Sequence, residues 1–190
     1  MRYVIEHRES RLYPWCRLEY QHISRQVGKK NLLFTHLKTA YQRNTLAPWG
    51  AGERKSVTEL DLSRACILDP LAKKVLTPED ALSFDTFIFG GILGDHPPQA
   101  RTRNELSIRM PSLPTRHIGK HQMPTDSAVY VVQQIVEKHR RLQDLKFQDG
   151  VEFKIGKGES MYFPFRYVVV EGKPFFSREL ELYVRKKKGF

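Results

Sequence analysis

Short apolar runs alternate along most of this chain with stretches whose apolar residues recur every three or four positions. Tyr3–Ile5 reads as a strand. Cys16, Tyr20, Ile23 and Val27 fall at i, i+4, i+7 and i+11, one face of a helix that Gly28 can end. Asn31–Phe34 is a second strand, and the polar stretch carrying Pro48, Trp49, Gly50 and Gly52 reads as a long loop. Ser56 and Glu59 have capping-box spacing for a short helix. Ala65–Leu68 is a third strand, closed by Asp69-Pro70. Thr77-Pro78-Glu79-Asp80 starts another helix, with a cap, an early proline and acids facing the dipole. Thr86–Phe89 is the most buried-looking strand and runs straight into GGILGDHPP, and Arg116–Gly119 is a fifth short strand. Ala128, Val131, Val132, Ile135, Val136, His139 and Leu142 form one stripe, which predicts a helix from Thr125 to about Leu142.

Strands and helices alternating in this way predict an α/β fold, a parallel sheet covered on both faces. The pattern then changes. VEFKIG, YFPFRYVVV, GKPFF and ELELYV alternate or cluster like hairpin strands, with Gly150, Gly156, Gly158 and Gly172 at turns. The expected division is a catalytic-sized domain over 1–142 and a β-rich C-terminal extension over 143–190, ending in a solvated basic RKKKGF tail.

Composition narrows the function. A length of 190 residues fits one compact domain with an appended subdomain, and 40% hydrophobic with 28% charged residues excludes disorder across the chain. The excess of 32 Lys and Arg over 21 Asp and Glu gives a charge of +11, which suits a working surface near RNA or a ribonucleoprotein. Cys16 and Cys66 form neither a disulfide framework nor a zinc-finger spacing, so a reducing compartment is expected. The opening MRYVIEHRES carries charges where a signal peptide needs an apolar core, and no apolar run approaches membrane-span length. A soluble cytoplasmic protein with no membrane partner is the expectation.

Chemistry is expected where the Thr86–Phe89 strand meets Gly90-Gly91-Ile92-Leu93-Gly94-Asp95. Ligands of open parallel sheets sit beyond the carboxyl ends of the strands, and glycines there let backbone groups approach a flat ring. No GKS or GKT follows and GxGxxG is absent, which excludes a P-loop and a dinucleotide fingerprint. Taken alone, three glycines could simply make a tight turn. Asp95-His96-Pro97-Pro98 adds an ionisable pair, with Arg101, Arg103 and Glu105 close behind. Thr125 and Asp126 open the predicted helix, where they could cap it or leave its amides to receive a carboxylate. His117 and His121 have i,i+4 spacing, but Gly119 lies between them and no helix is predicted, so no metal site is expected. Trp15 and Trp49 could stack on a substrate, with Trp15 assigned to the core or its edge.

GGILGDHPPQARTRNEL and, after a gap, RHIGKHQMPTDSAV resemble the two signature blocks of the SPOUT-type protein-arginine methyltransferases, and YVIEH resembles that family's first strand. The resemblance covers roughly residues 1–142. It implies a parallel-sheet SPOUT fold with a C-terminal trefoil knot, S-adenosylmethionine as cofactor, and a small-subunit ribosomal protein as substrate. Carried over by position, Gly90, Gly91, Leu93 and Gly94 would form one wall of the cofactor site. Ile118, Gly119, Lys120, Gln122, Met123 and Thr125 would form the others. His117, Lys120 and His121 make the second loop more basic than the family pattern.

A guanidinium must be gripped by a carboxylate to be oriented for methyl transfer. Asp95 is the first choice for that role, with Glu105 and Glu6 next, Glu6 because it ends the first strand. An RNA methyltransferase is the alternative, since the basic charge suits RNA contact equally well. A non-catalytic RNA-binding module lacks support from any RRM or KH signature. The enzyme would work as a monomer or homodimer, because the extension could cover a dimer surface.

Overall fold

The computed structural model describes residues 1–156 and 158–186. Six strands form one all-parallel sheet: β1 (Arg2–His7), β2 (Leu32–Thr35), β3 (Ala51–Gly52), β4 (Ala65–Leu68), β5 (Thr86–Gly91) and β6 (Thr115–Arg116), in the order β3-β2-β1-β5-β4-β6. The two central strands align Ile5 with Phe89, Glu6 with Gly90 and His7 with Gly91.

Period-two alternation sorts the strand residues onto two faces. Tyr3, Ile5, Leu32, Phe34, Phe87 and Phe89 face α1 (Pro14–Val27) and α5 (Thr125–Val136) in the main core. Val4, Leu33, Ile67 and Ile88 face the other way, against Val57, Leu106 and Met110. The remaining short helices are α2 (Ala40–Leu46), α3 (Asp80–Ser83) and α4 (Arg101–Glu105).

Most predicted elements stand within a residue or two, and the differences have physical causes. Part of the expected long loop is α2: Thr39 and Gln42 make a reciprocal capping box that starts a helix there. The predicted helix from Thr125 ends at Val136 rather than Leu142. His139 takes φ +53°, and the Arg140 N–H reaches back to the Gln134 carbonyl, closing the helix end. The Thr77 start yields a single turn, with the Thr77 N–H bonded to Asp80 Oδ2.

The extension is a three-stranded antiparallel sheet of β7 (Phe147–Gly156), β8 (Glu159–Val170) and β9 (Lys173–Pro174). ELELYV, expected as a strand, belongs instead to helix α6 (Arg178–Lys186). The Ser177 hydroxyl caps the Leu180 N–H, and Leu180 and Val184, four residues apart, are both buried. Helical spacing thus outweighs the alternation. Of the expected basic tail, Arg185 and Lys186 complete α6, and residues 187–190 lie outside the described residues. No helix among the described residues is long and apolar enough to cross a membrane.

Candidate active site

Three segments converge beyond the carboxyl ends of the parallel strands: the loop after β5, the turn after β4 at Asp69–Leu71, and the loop from β6 into α5. With α4 they enclose a cavity of about 260 Å³. Gly90, Leu93, Gly94, Ile118, Gly119, Lys120, Gln122, Met123 and Thr125 all line it, and Phe89, Asp69 and Arg101 complete much of the wall. Ile118 and Met123 supply apolar surface, and the glycines leave main-chain groups open to contact. At Gly119 the backbone takes φ +107°, a conformation that favours glycine, with the Met123 methyl 3.7 Å from where a Cβ would stand.

Gly91, proposed from the resemblance as part of the same wall, faces away. A Cβ there would strike the Tyr20 hydroxyl and come within 2.9 Å of Ile5, so this glycine serves the packing of β5 onto α1. A Cβ on Gly94 would run into the Gln122 amide and approach Phe165 of β8 to 2.5 Å. The extension is therefore built against the loop after β5. It is tied down further by the Arg166 N–H, which donates to the Gln122 carbonyl at 2.9 Å.

The three candidate acids have different surroundings. Glu6 is fully buried and accepts from the Thr35 hydroxyl at 2.5 Å, the Ser56 hydroxyl at 2.7 Å and the Val57 N–H at 3.0 Å. It also lies 3.7 Å from Arg8 Nη1, ties the Ser56 turn to central strand β1 and does not line the cavity, which removes it from the catalytic candidates. Glu105 is spanned by two guanidiniums, Arg8 and Arg101, each at 2.8 Å. Partial burial works against its charge, yet those two cations hold its carboxyl below the ordinary range. Asp95 lines the cavity at its mouth, 42% exposed, and its one ion-pair contact among the described residues, to Arg101, is 4.0 Å long. Asp95 is the member of the trio that faces the cavity with capacity to spare.

Sequence reasoning passed over Glu9, which accepts from the Leu93 N–H and from Arg101 Nη1, both at 2.9 Å, and so braces the loop after β5. It also missed a second, smaller cleft of about 30 Å³ that shares Ile92, Leu93, Gly94, Gln122 and Met123 with the cavity. Its other walls are Trp15, Glu19, Pro124 and Phe165. The signal was available, because Glu19 lies three residues after Cys16 on the apolar face of α1, where a charge is out of place. Burial, and then the nearness of Asp126, push the Glu19 carboxyl up to about 8, against hydrogen bonds from Trp15 and Thr125.

Asp126 satisfies a first-turn amide of α5 and does not line the cavity. It is fully buried, accepting from the Ser127 N–H at 2.8 Å and pairing with His22 Nδ1 at 2.8 Å. The two histidines of the loop after β6 part company: His117 Nδ1 accepts from the Gly119 N–H, and His121 lies 3.6 Å from Asp149. Trp49 packs on the main core and gives its carbonyl to Ser24.

Solved structures share this fold. The yeast arginine methyltransferase SFM1 complexed with SAM superposes with a TM-score of 0.89 at 38% identity, covering 97% of this chain and 90% of that one. A Trm10 structure from Thermococcus kodakaraensis matches at a TM-score of 0.58 and 15% identity over 76% of this chain and 96% of that one, a likeness of fold alone. Protein arginine N-methyltransferase SFM1 of Saccharomyces cerevisiae is 41% identical over 191 aligned residues, covering 92% of this chain and 89% of its own. Residues 2–189 match the family model described as Protein arginine N-methyltransferase SFM1-like, and the chain belongs to that SPOUT-type family.

Proposed function

We propose that this chain transfers a methyl group from S-adenosylmethionine to an arginine side chain of a small-subunit ribosomal protein. One observation carries the cofactor part: a single cavity at the carboxyl end of the sheet gathers nine of the ten residues that the family resemblance assigns to the cofactor. The yeast relative, similar along nearly its whole length, has been solved complexed with SAM, SAH and MTA. The loops that form the cavity are those the resemblance assigns to a trefoil knot, and that threading is part of the proposal.

The cavity suits the cofactor. Gly90, Gly94 and Gly119 allow backbone groups to meet a flat heterocycle, while Leu93, Ile118 and Met123 offer apolar surface to its faces. Bound there, S-adenosylmethionine supplies a methyl on a sulfonium, already electrophilic. The protein's work is then to bind, to exclude water and to hold the nucleophile in line. Glu9 braces the loop after β5 through the Leu93 amide, and Asp95 at the mouth attracts a cationic side chain.

The ribosomal partner is supported by the resemblance and by the charge of +11, which draws the enzyme toward a ribonucleoprotein. The test is labelling of small ribosomal subunits, taken from a yeast strain lacking its homologous enzyme, with radiolabelled S-adenosylmethionine and this protein. Label that resists nuclease, yields to protease and releases methylarginine on acid hydrolysis is the expected result. Label lost to nuclease would transfer the activity to RNA and turn the basic surface into the substrate groove.

A further inference from the structure

Glu19 is 5% exposed, yet it lies on the wall of a cleft rather than in sealed core. Trp15 Nε1 donates to its Oε1 at 3.0 Å, and no cation pairs with it among the described residues. Two cations of the surrounding elements are committed elsewhere: His22 of α1 to Asp126 at 2.8 Å, Arg166 of β8 to Asp149 at 2.7 Å. A buried carboxylate without a cation is costly, and folds retain one where a ligand completes it. Trp15 and Phe165 add aromatic surface, the surroundings that a planar delocalised cation favours over water. The cleft has room for two or three water-sized groups and shares five wall residues with the cavity.

We propose that this cleft, with Glu19 facing Trp15 and Phe165, receives the guanidinium of the arginine to be methylated. The inference rests on the proposed activity for the identity of its guest, and it moves the gripping carboxylate from Asp95 to Glu19. Asp95, 42% exposed, draws the substrate to the mouth, where water competes for it. Glu19, enclosed, makes the charge-assisted hydrogen bonds that orient the nitrogen. Burial, and then Asp126, raise its carboxyl above the ordinary range, and a guanidinium that enters favours the charged form that pairs with it. The extension gains a role, since Phe165 of β8 supplies one wall of the substrate cleft.

The test is a titration of methylguanidinium chloride into protein saturated with S-adenosylhomocysteine, read by Trp15 emission in a Trp49→Phe background. A saturable change is expected, weakened at least about tenfold in Glu19→Gln. Methylammonium, a cation without the planar fork, should give no saturation. Phe165→Leu, on the half-exposed wall, leaves the buried acid alone and should weaken binding about threefold. An unsaturable response, or the same curve in both variants as in the parent, overturns the inference.

Because this titration requires no methyl transfer, the two proposals fail separately. Saturable binding without methylarginine in the ribosomal assay sinks the activity. Methylarginine formed at the parent rate by Glu19→Gln sinks the cleft.

Discussion

The larger cavity takes its walls mostly from backbone: Gly90, Gly94 and Gly119 on two loops, with Leu93, Ile118 and Met123 giving apolar cover. The smaller cleft beside it is built from side chains, an enclosed carboxylate and two aromatic rings drawn from α1 and β8. The difference follows from what each is proposed to recognise. A flat neutral ring is read by amides and carbonyls that glycine leaves uncovered, and needs no buried charge. A guanidinium demands a carboxylate, and the carboxylate must be shielded from water to hold it in one orientation. The parallel sheet alone supplies the first site, while the second requires the C-terminal extension.

Substitutions can break this contrast at several points. The largest effect is expected at Gly91, which faces α1 and not the cavity. Gly91→Ala should cost about 1–3 kcal/mol of stability by overpacking, seen in chemical denaturation, with cofactor affinity per folded molecule unchanged. A large loss of affinity at full stability would return Gly91 to the cofactor wall. Asp95→Asn should lower kcat/KM about tenfold with the cofactor Kd unaltered, the signature of weakened substrate capture at the mouth. Glu9→Gln should raise the cofactor Kd about fivefold, because the charge bracing the Leu93 amide and Arg101 is gone.

The smallest effect is a pH dependence. An acid that holds its proton more tightly when folded adds stability below its ordinary value, near 4.5, and loses it as pH rises toward about 8. Glu19→Gln has no such proton to lose. Its melting midpoint relative to the parent should therefore climb as pH rises from 5 to 8. A pH-independent difference would mean that Glu19 finds a compensating partner.

The frame of the fold was open to sequence reading because each parallel strand is a short apolar run and each long helix carries one apolar stripe. The loops assigned to the cofactor came from a family resemblance, since glycines by themselves permit a ligand or a simple turn. What escaped was set by tertiary contact. Gly90 and Gly91 are indistinguishable as letters, and only the pleat of β5 sends one toward the cavity and the other toward Tyr20. Glu6 looked catalytic at the end of a strand, yet the Ser56 turn folds under and saturates it. Glu19 left a trace, a charge inside an apolar stripe, but its meaning depends on Phe165, nearly 150 positions away. ELELYV misled because alternation over six residues also fits two turns of helix once Ser177 caps it.

The separation of the two sites is tested most directly by calorimetric titration of S-adenosylmethionine into Glu19→Gln and Gly94→Val, each beside the parent protein. Gly94→Val, whose Cβ has no room against Gln122 and Phe165, should weaken binding about thirtyfold or more. Glu19→Gln should stay within about twofold of the parent. Equal weakening in both variants would contradict the account, making cavity and cleft one site with Glu19 part of the cofactor's own shell.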